Sequence, residues 1–179
     1  MLVAAVLAVS LCTSTSFPPA EERTDQFWAA TLTKSLHECY GHLDPALEHV
    51  DVFVEASPYL VSSGVDATYQ WRVTFDTSVV QELVPEEMMF LLGHEAAHLA
   101  ITFGAFWITG AEETEYAADL IGARSIPSGS CFGAHAIGWL VNRIPHDLKS
   151  EIGDDRANHR RKALIAQCAV EALAAKTPQ

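Results

Sequence analysis

Residues 85–102 read Pro-Glu-Glu-Met-Met-Phe-Leu-Leu-Gly-His-Glu-Ala-Ala-His-Leu-Ala-Ile-Thr, and the rest of the chain is best understood outward from them. Proline at a first helical position gives up an amide that has no partner there anyway. Glu86 and Glu87 then lie against the positive end of the helix dipole. The spacing predicts a helix from Pro85 to about Thr102. On such a helix His94 and His98, four residues apart, point the same way about one turn from each other. Their imidazoles can hold one zinc ion, with Glu95 between them facing a metal-bound water as a general base. Ordinary His and Glu usage gives this pattern by accident in roughly one chain of this size in a few hundred, so the residues downstream decide its meaning.

A catalytic zinc takes three protein ligands and keeps a fourth position open, so one ligand remains to be found. Thr109-Gly110-Ala111-Glu112 has capping-box form and predicts a helix from Ala111 to about Arg124. That helix carries Glu112, Glu113 and Glu115. Glu115 and Asp119 share one face, with Glu112 a turn earlier on the same side. Glu115 is the expected third ligand and Glu112 the alternative. Asp119 is then placed to accept the free N–H of a zinc-bound histidine and fix its tautomer. Ala117 and Ala118 suit two helices that must approach closely to share an ion. Without the motif upstream, the same segment would read as a solvated acidic helix face.

His94-Glu95-x-x-His98 followed by Glu115-x-x-Ala118-Asp119 resembles the gluzincin metallopeptidases. It is most similar to the family of CAAX prenyl endopeptidases, bacterial heat-shock membrane proteases and their soluble periplasmic relatives. The likeness covers about residues 50–124 and includes the approach to the motif, Thr77 to Leu92. It implies zinc on His94, His98 and Glu115, Glu95 as base and proton shuttle, and Asp119 orienting a liganding histidine. Three features depart from that family, one being the sixteen residues between His98 and Glu115, few for it. The Asn-Ala-Phe segment with a Pro-Gly-Gly turn before the metal helix is missing. The late histidine that helps stabilise the transition state also has no clear counterpart: if Arg161 matches the family's arginine, Asp155 stands in the histidine's place. His159 is the candidate to supply that electrophile, with Arg156 the alternative.

Composition narrows the partners. The chain has 179 residues, 49% of them hydrophobic, enough for one well-filled core. A formal charge of −12 argues against a nucleic-acid partner and against an anionic membrane, both of which need a basic face. A peptide or protein substrate is expected, and membrane association is the less favoured expectation. Residues 1–16 carry no charge and open with an apolar run from Leu2 to Cys12, too short to span a bilayer but suited to a secretory signal cut before Phe17. The first basic residue is Arg23, so the usual positive start is lacking. Cys39, Cys131 and Cys168 follow, an odd number that suits one disulfide and one free thiol in an oxidising compartment.

Apolar residues at helical spacing predict a helix from about Thr24 to Tyr40, closed by Gly41. Val50–Glu55 and Tyr69–Phe75 read as strands, the second a candidate edge for pairing with extended substrate, with Ser62-Ser63-Gly64 as the turn region between them. Ser78-Val79-Val80-Gln81 has capping-box form and predicts a short helical turn. Leu99–Ala111 is uncharged and carries Phe103, Phe106 and Trp107, either to wall an apolar cleft or to pack into the core. Further helices are expected over 135–143 and 155–175. The resulting expectation is an α+β chain: a signal segment over 1–16, then a mainly helical single domain over 17–179 with a small sheet and a zincin-like active-site helix. Its expected function is zinc-dependent endopeptidase action outside the cytoplasm, periplasmic or secreted. The alternatives are a cytoplasmic repressor-cleaving type of metallopeptidase, and a non-catalytic zinc-binding chaperone or assembly module.

Overall fold

The computed structural model describes residues 23–83 and 85–124. The expected signal segment, the helices over 135–143 and 155–175, and His159, Arg156, Asp155 and Arg161 lie outside the described residues.

The first helix, α1 (Asp25–Ser35), starts where Thr24 accepts a hydrogen bond from the Phe27 amide at 3.1 Å. Trp28, Leu32 and Leu36, each four residues on from the last, are all buried, so one stripe of the helix supplies one wall of the core. The chain continues through a π-helical turn, Leu36–Tyr40, and stops at Gly41, whose amide donates to the His37 carbonyl at 3.1 Å. A Cβ at Gly41 would lie 2.6 Å from that same carbonyl oxygen, so the stop requires glycine. A 3-10 helix, Pro45–His49, leads into the sheet.

Three strands follow: β1 (Asp51–Glu55), β2 (Val61–Val65) and β3 (Trp71–Asp76), in the order β1-β3-β2. β1 runs parallel to β3, and β2 antiparallel to it. Two expectations are corrected here. Ser62-Ser63-Gly64 is not a turn but the middle of β2. The strand β3 is not an edge but the centre of the sheet, so the edges are β1 and β2. The turn lies later, at Asp66–Gln70, where the Asp66 carboxylate accepts from the amides of Thr68 and Gln70 at 2.7 and 3.0 Å. Tyr69 in that turn adopts φ 62°.

Register fixes which residues face inward. Val52, Val73 and Ser63 are aligned across the three strands, as are Val54, Phe75 and Val61. Val73 and Phe75 are fully buried, so this is the core face. On the other face Arg72 pairs with Glu55 and lies over the Phe53 ring, 4.0 Å from its centroid.

The sheet gives way directly to α2 (Thr77–Glu82). Its cap is Asp76, whose carboxylate accepts from the Ser78 amide at 2.9 Å, two residues before the cap expected at Ser78. Helix α3 (Pro85–Phe103) and helix α4 (Ala111–Arg124) follow and pack along each other. α1 packs on β1, and α3 on β2. Tyr40 ties the first helix to the third by donating to the Met89 carbonyl at 2.9 Å. Of the aromatics between the two ligand segments, Phe103 and Phe106 pack against the core, whereas Trp107 is 96% exposed. Phe103 meets Trp71 edge-on at 5.2 Å. Among the described residues the architecture is α+β, with four α-helices around one small sheet, and no helix is long and apolar enough to cross a membrane.

Candidate metal centre

Helix α3 buries nearly all of its middle: Phe90, Leu91, Leu92, Ala96, Leu99 and Ala100 are at or near zero exposure. His94 and Glu95 are therefore carried into the interior with it, at 4% and 7% exposure. Polar groups buried this deeply must find partners, because desolvation without compensation is expensive. Helix α4 supplies them for His94, and strand β2 for Glu95.

The approach of the two helices depends on small residues. Gly122 on α4 sits so near α3 that a Cβ there would lie 2.6 Å from the Phe90 carbonyl oxygen and 3.3 Å from its ring. Ala118, one turn earlier, is fully buried. At this separation the acids of α4 reach the histidines of α3. His94 Nε2 lies 3.4 Å from one Glu115 oxygen, and His98 Nε2 lies 3.3 Å from the other. The two Nε2 atoms are 2.9 Å apart. On the far side of the His94 ring, Nδ1 lies 3.0 Å from Asp119 Oδ1, and Asp119 is fully buried. The Phe90 ring stacks against the same imidazole at 6.4 Å between centroids.

Electrostatics follow from this packing. Burial works against a protonated His94, but the Asp119 and Glu115 carboxylates outweigh it and raise its pKa. Burial likewise opposes charge on Glu115, yet bonding to His94 and His98 pulls it far below the usual carboxylate range. Negative charge at Glu115 is thus the favoured state, as a metal ligand requires.

His94, His98 and Glu115 each offer a ligand atom, all within 4.8 Å of one another. Ligand atoms at about 2.0–2.1 Å from a tetrahedral zinc stand roughly 3.3 Å apart along each edge. The two Nε2 atoms stand 2.9 Å apart, close to that spacing, and lie 3.4 and 3.3 Å from different oxygens of the Glu115 carboxylate. Two imidazoles and a carboxylate are also a donor set that suits zinc, so the residues fit the ion. The structure brings His94, His98 and Glu115 together across the two helices, with Asp119 beside the far nitrogen of His94. Glu112 belongs to α4, but its side chain lies outside the described residues.

Sequence reasoning missed one residue. Ser63 on β2 donates from Oγ to Glu95 Oε2 at 2.7 Å. A signal for it was present: in Val61-Ser62-Ser63-Gly64-Val65 the serine at 63 shares the alternation of Val61 and Val65. A surface groove of about 670 Å³ between α1 and β1 shares no residue with this cluster.

Comparison of the chain with protein-family models, with curated proteins and with solved structures finds no match.

Proposed function

We propose that this protein is a zinc-dependent endopeptidase, with α3 serving as a zincin-like active-site helix. The observation that carries the reading is the meeting of Glu115 with both histidines across the α3–α4 contact, while Glu95 is buried on the same helix between them. His94, His98 and Glu115 would hold the ion. When bound, it supplies a Lewis acid for the scissile carbonyl and lowers the pKa of the attacking water toward neutrality.

The chain's own residues do the rest. Asp119, with Oδ1 3.0 Å from His94 Nδ1, would favour a proton on that nitrogen and leave Nε2 to the ligand cluster. Glu95 takes up a proton at its carboxylate during attack and returns it to the leaving amine. An intact base beside three ligands favours this over a purely structural site, which has no use for one. Cys39 is disulfide-bonded. That bond supports an exported protein working in an oxidising compartment.

The test is cleavage of an unstructured protein by the zinc-loaded chain beside Glu95→Gln with its zinc content confirmed. The variant is expected to keep zinc and lose roughly 10²–10⁴-fold in rate. Equal cleavage by both would overturn the reading.

A further inference from the structure

We infer that Ser63 is a positioning residue for Glu95, its hydroxyl holding one carboxylate oxygen so that the other is left for proton transfer; this rests on the endopeptidase reading above. The first observation is the place of Ser63 in the sheet. Ser63 is half-buried: its cross-strand partner Val73 is fully buried and Val61, two residues before it on the same face, packs against the core, whereas Val65, two after, is 45% exposed. An inward position on a strand that packs against a helix is one where an apolar side chain would be favoured. A hydroxyl there needs a polar reason, and among the described contacts that reason is Glu95 Oε2 at 2.7 Å.

The second observation is the mobility a glutamate has by default. It carries three side-chain torsions, and most rotamers take the carboxylate away from the proton it must abstract. Among the hydrogen bonds of the described residues, the one that grips the Glu95 carboxylate is that from Ser63. The serine donates only one hydrogen bond and competes for only one of the two oxygens. It therefore restrains the base without using up its capacity to accept a proton. The restraint comes from β2, an element that contributes none of the three candidate ligands, so base and ligands are held by different parts of the fold.

The alternative role for the same bond is purely structural: satisfying a buried carboxylate. Steady-state cleavage by wild type, Ser63→Ala, Ser63→Val and Ser63→Thr separates the two, with zinc content and melting temperature measured on each. A positioning role predicts that Ser63→Ala and Ser63→Val lose roughly 10- to 100-fold in kcat, with KM and zinc content unchanged. Ser63→Thr, which keeps a hydroxyl on a β-branched strand residue, recovers most of that loss. Unchanged kcat in Ser63→Ala, or a loss that follows zinc content or thermal stability alone, overturns the inference. A second readout does not depend on turnover. Infrared difference spectra of zinc-free wild type and Ser63→Ala are expected to show a shifted carboxylate band, absent when the same comparison is made in the Glu95→Gln background. No shift overturns the inference. A zinc-loaded wild type that cleaves no faster than Glu95→Gln overturns the peptidase reading and this role together, whereas activity undiminished in Ser63→Ala overturns this role alone.

Discussion

Asp119 Oδ1 on α4 lies 3.0 Å from His94 Nδ1 on α3, and neither side chain is more than 5% exposed. The imidazole thus presents Nδ1 to Asp119 and Nε2 to Glu115. Asp119→Asn keeps the shape but removes the charge that favours a proton on Nδ1. It should lower zinc affinity roughly 10- to 100-fold while leaving a folded chain. Competition with a chromophoric chelator measures this directly, and unchanged affinity would place the ligand orientation elsewhere.

His98 and Glu115 should be needed for metal to stabilise the fold. A ligand that binds only the folded state at 100 times its Kd adds about 2.7 kcal/mol. Wild type should therefore melt several degrees higher with saturating zinc than with chelator. His98→Ala and Glu115→Ala should show little or no such increment in the same differential scan. An increment that survives both substitutions would mean the ion sits on other residues.

Gly122→Ala tests the approach of the helices rather than the ligands. The added Cβ would meet the Phe90 backbone oxygen at 2.6 Å, and backbone cannot swing away as a side-chain tip can. Forcing α3 and α4 apart should cost about 1–3 kcal/mol, with a matching fall in the denaturant midpoint. Zinc affinity should fall too, because Glu115 and the histidines sit on opposite sides of the same contact.

Asp76 links the end of the sheet to α2, accepting from the amides of Ser78 and Ser57 at 2.9 and 2.8 Å. Its hydrogen bond with the Ser78 hydroxyl, and then that from Ser57, lower its pKa below the ordinary value. A carboxylate depressed on folding stabilises the protein above its unfolded pKa, and that contribution is lost as pH falls through the folded value. Wild type should therefore lose this stability below about pH 4. Asp76→Ala should be less stable by about 1 kcal/mol at neutral pH, and the gap should close in acid unfolding curves.

The helices were legible because their signals are local. Thr24, Pro85 and Gly41 mark ends, and Trp28, Leu32 and Leu36 mark a face, without reference to anything distant. His94, His98, Glu115 and Asp119 were legible for the same reason: fixed helical spacing puts each pair on one face. The strand β2 was not. Ser62, Ser63 and Gly64 have weak strand preference, and they form a strand because β3 lies alongside to pair with them. Misreading that segment as a turn also left β3 looking like an edge. Ser63 was missed as part of the site for the same cause, since its role depends on a contact with a residue 32 positions away.

All three candidate ligands and the acid behind them lie on one helix–turn–helix, α3 and α4. An ion held between His98 and Glu115 closes a ring around the 16 residues that separate them, as a covalent cross-link would. A staple of that span removes on the order of 3 kcal/mol of freedom from the unfolded chain. The benefit falls on the hairpin itself, while the serine that steadies Glu95 belongs to a strand outside the ring. With an ion so held, heating should uncouple the two, loosening the sheet's grip on Glu95 while the clasped hairpin persists.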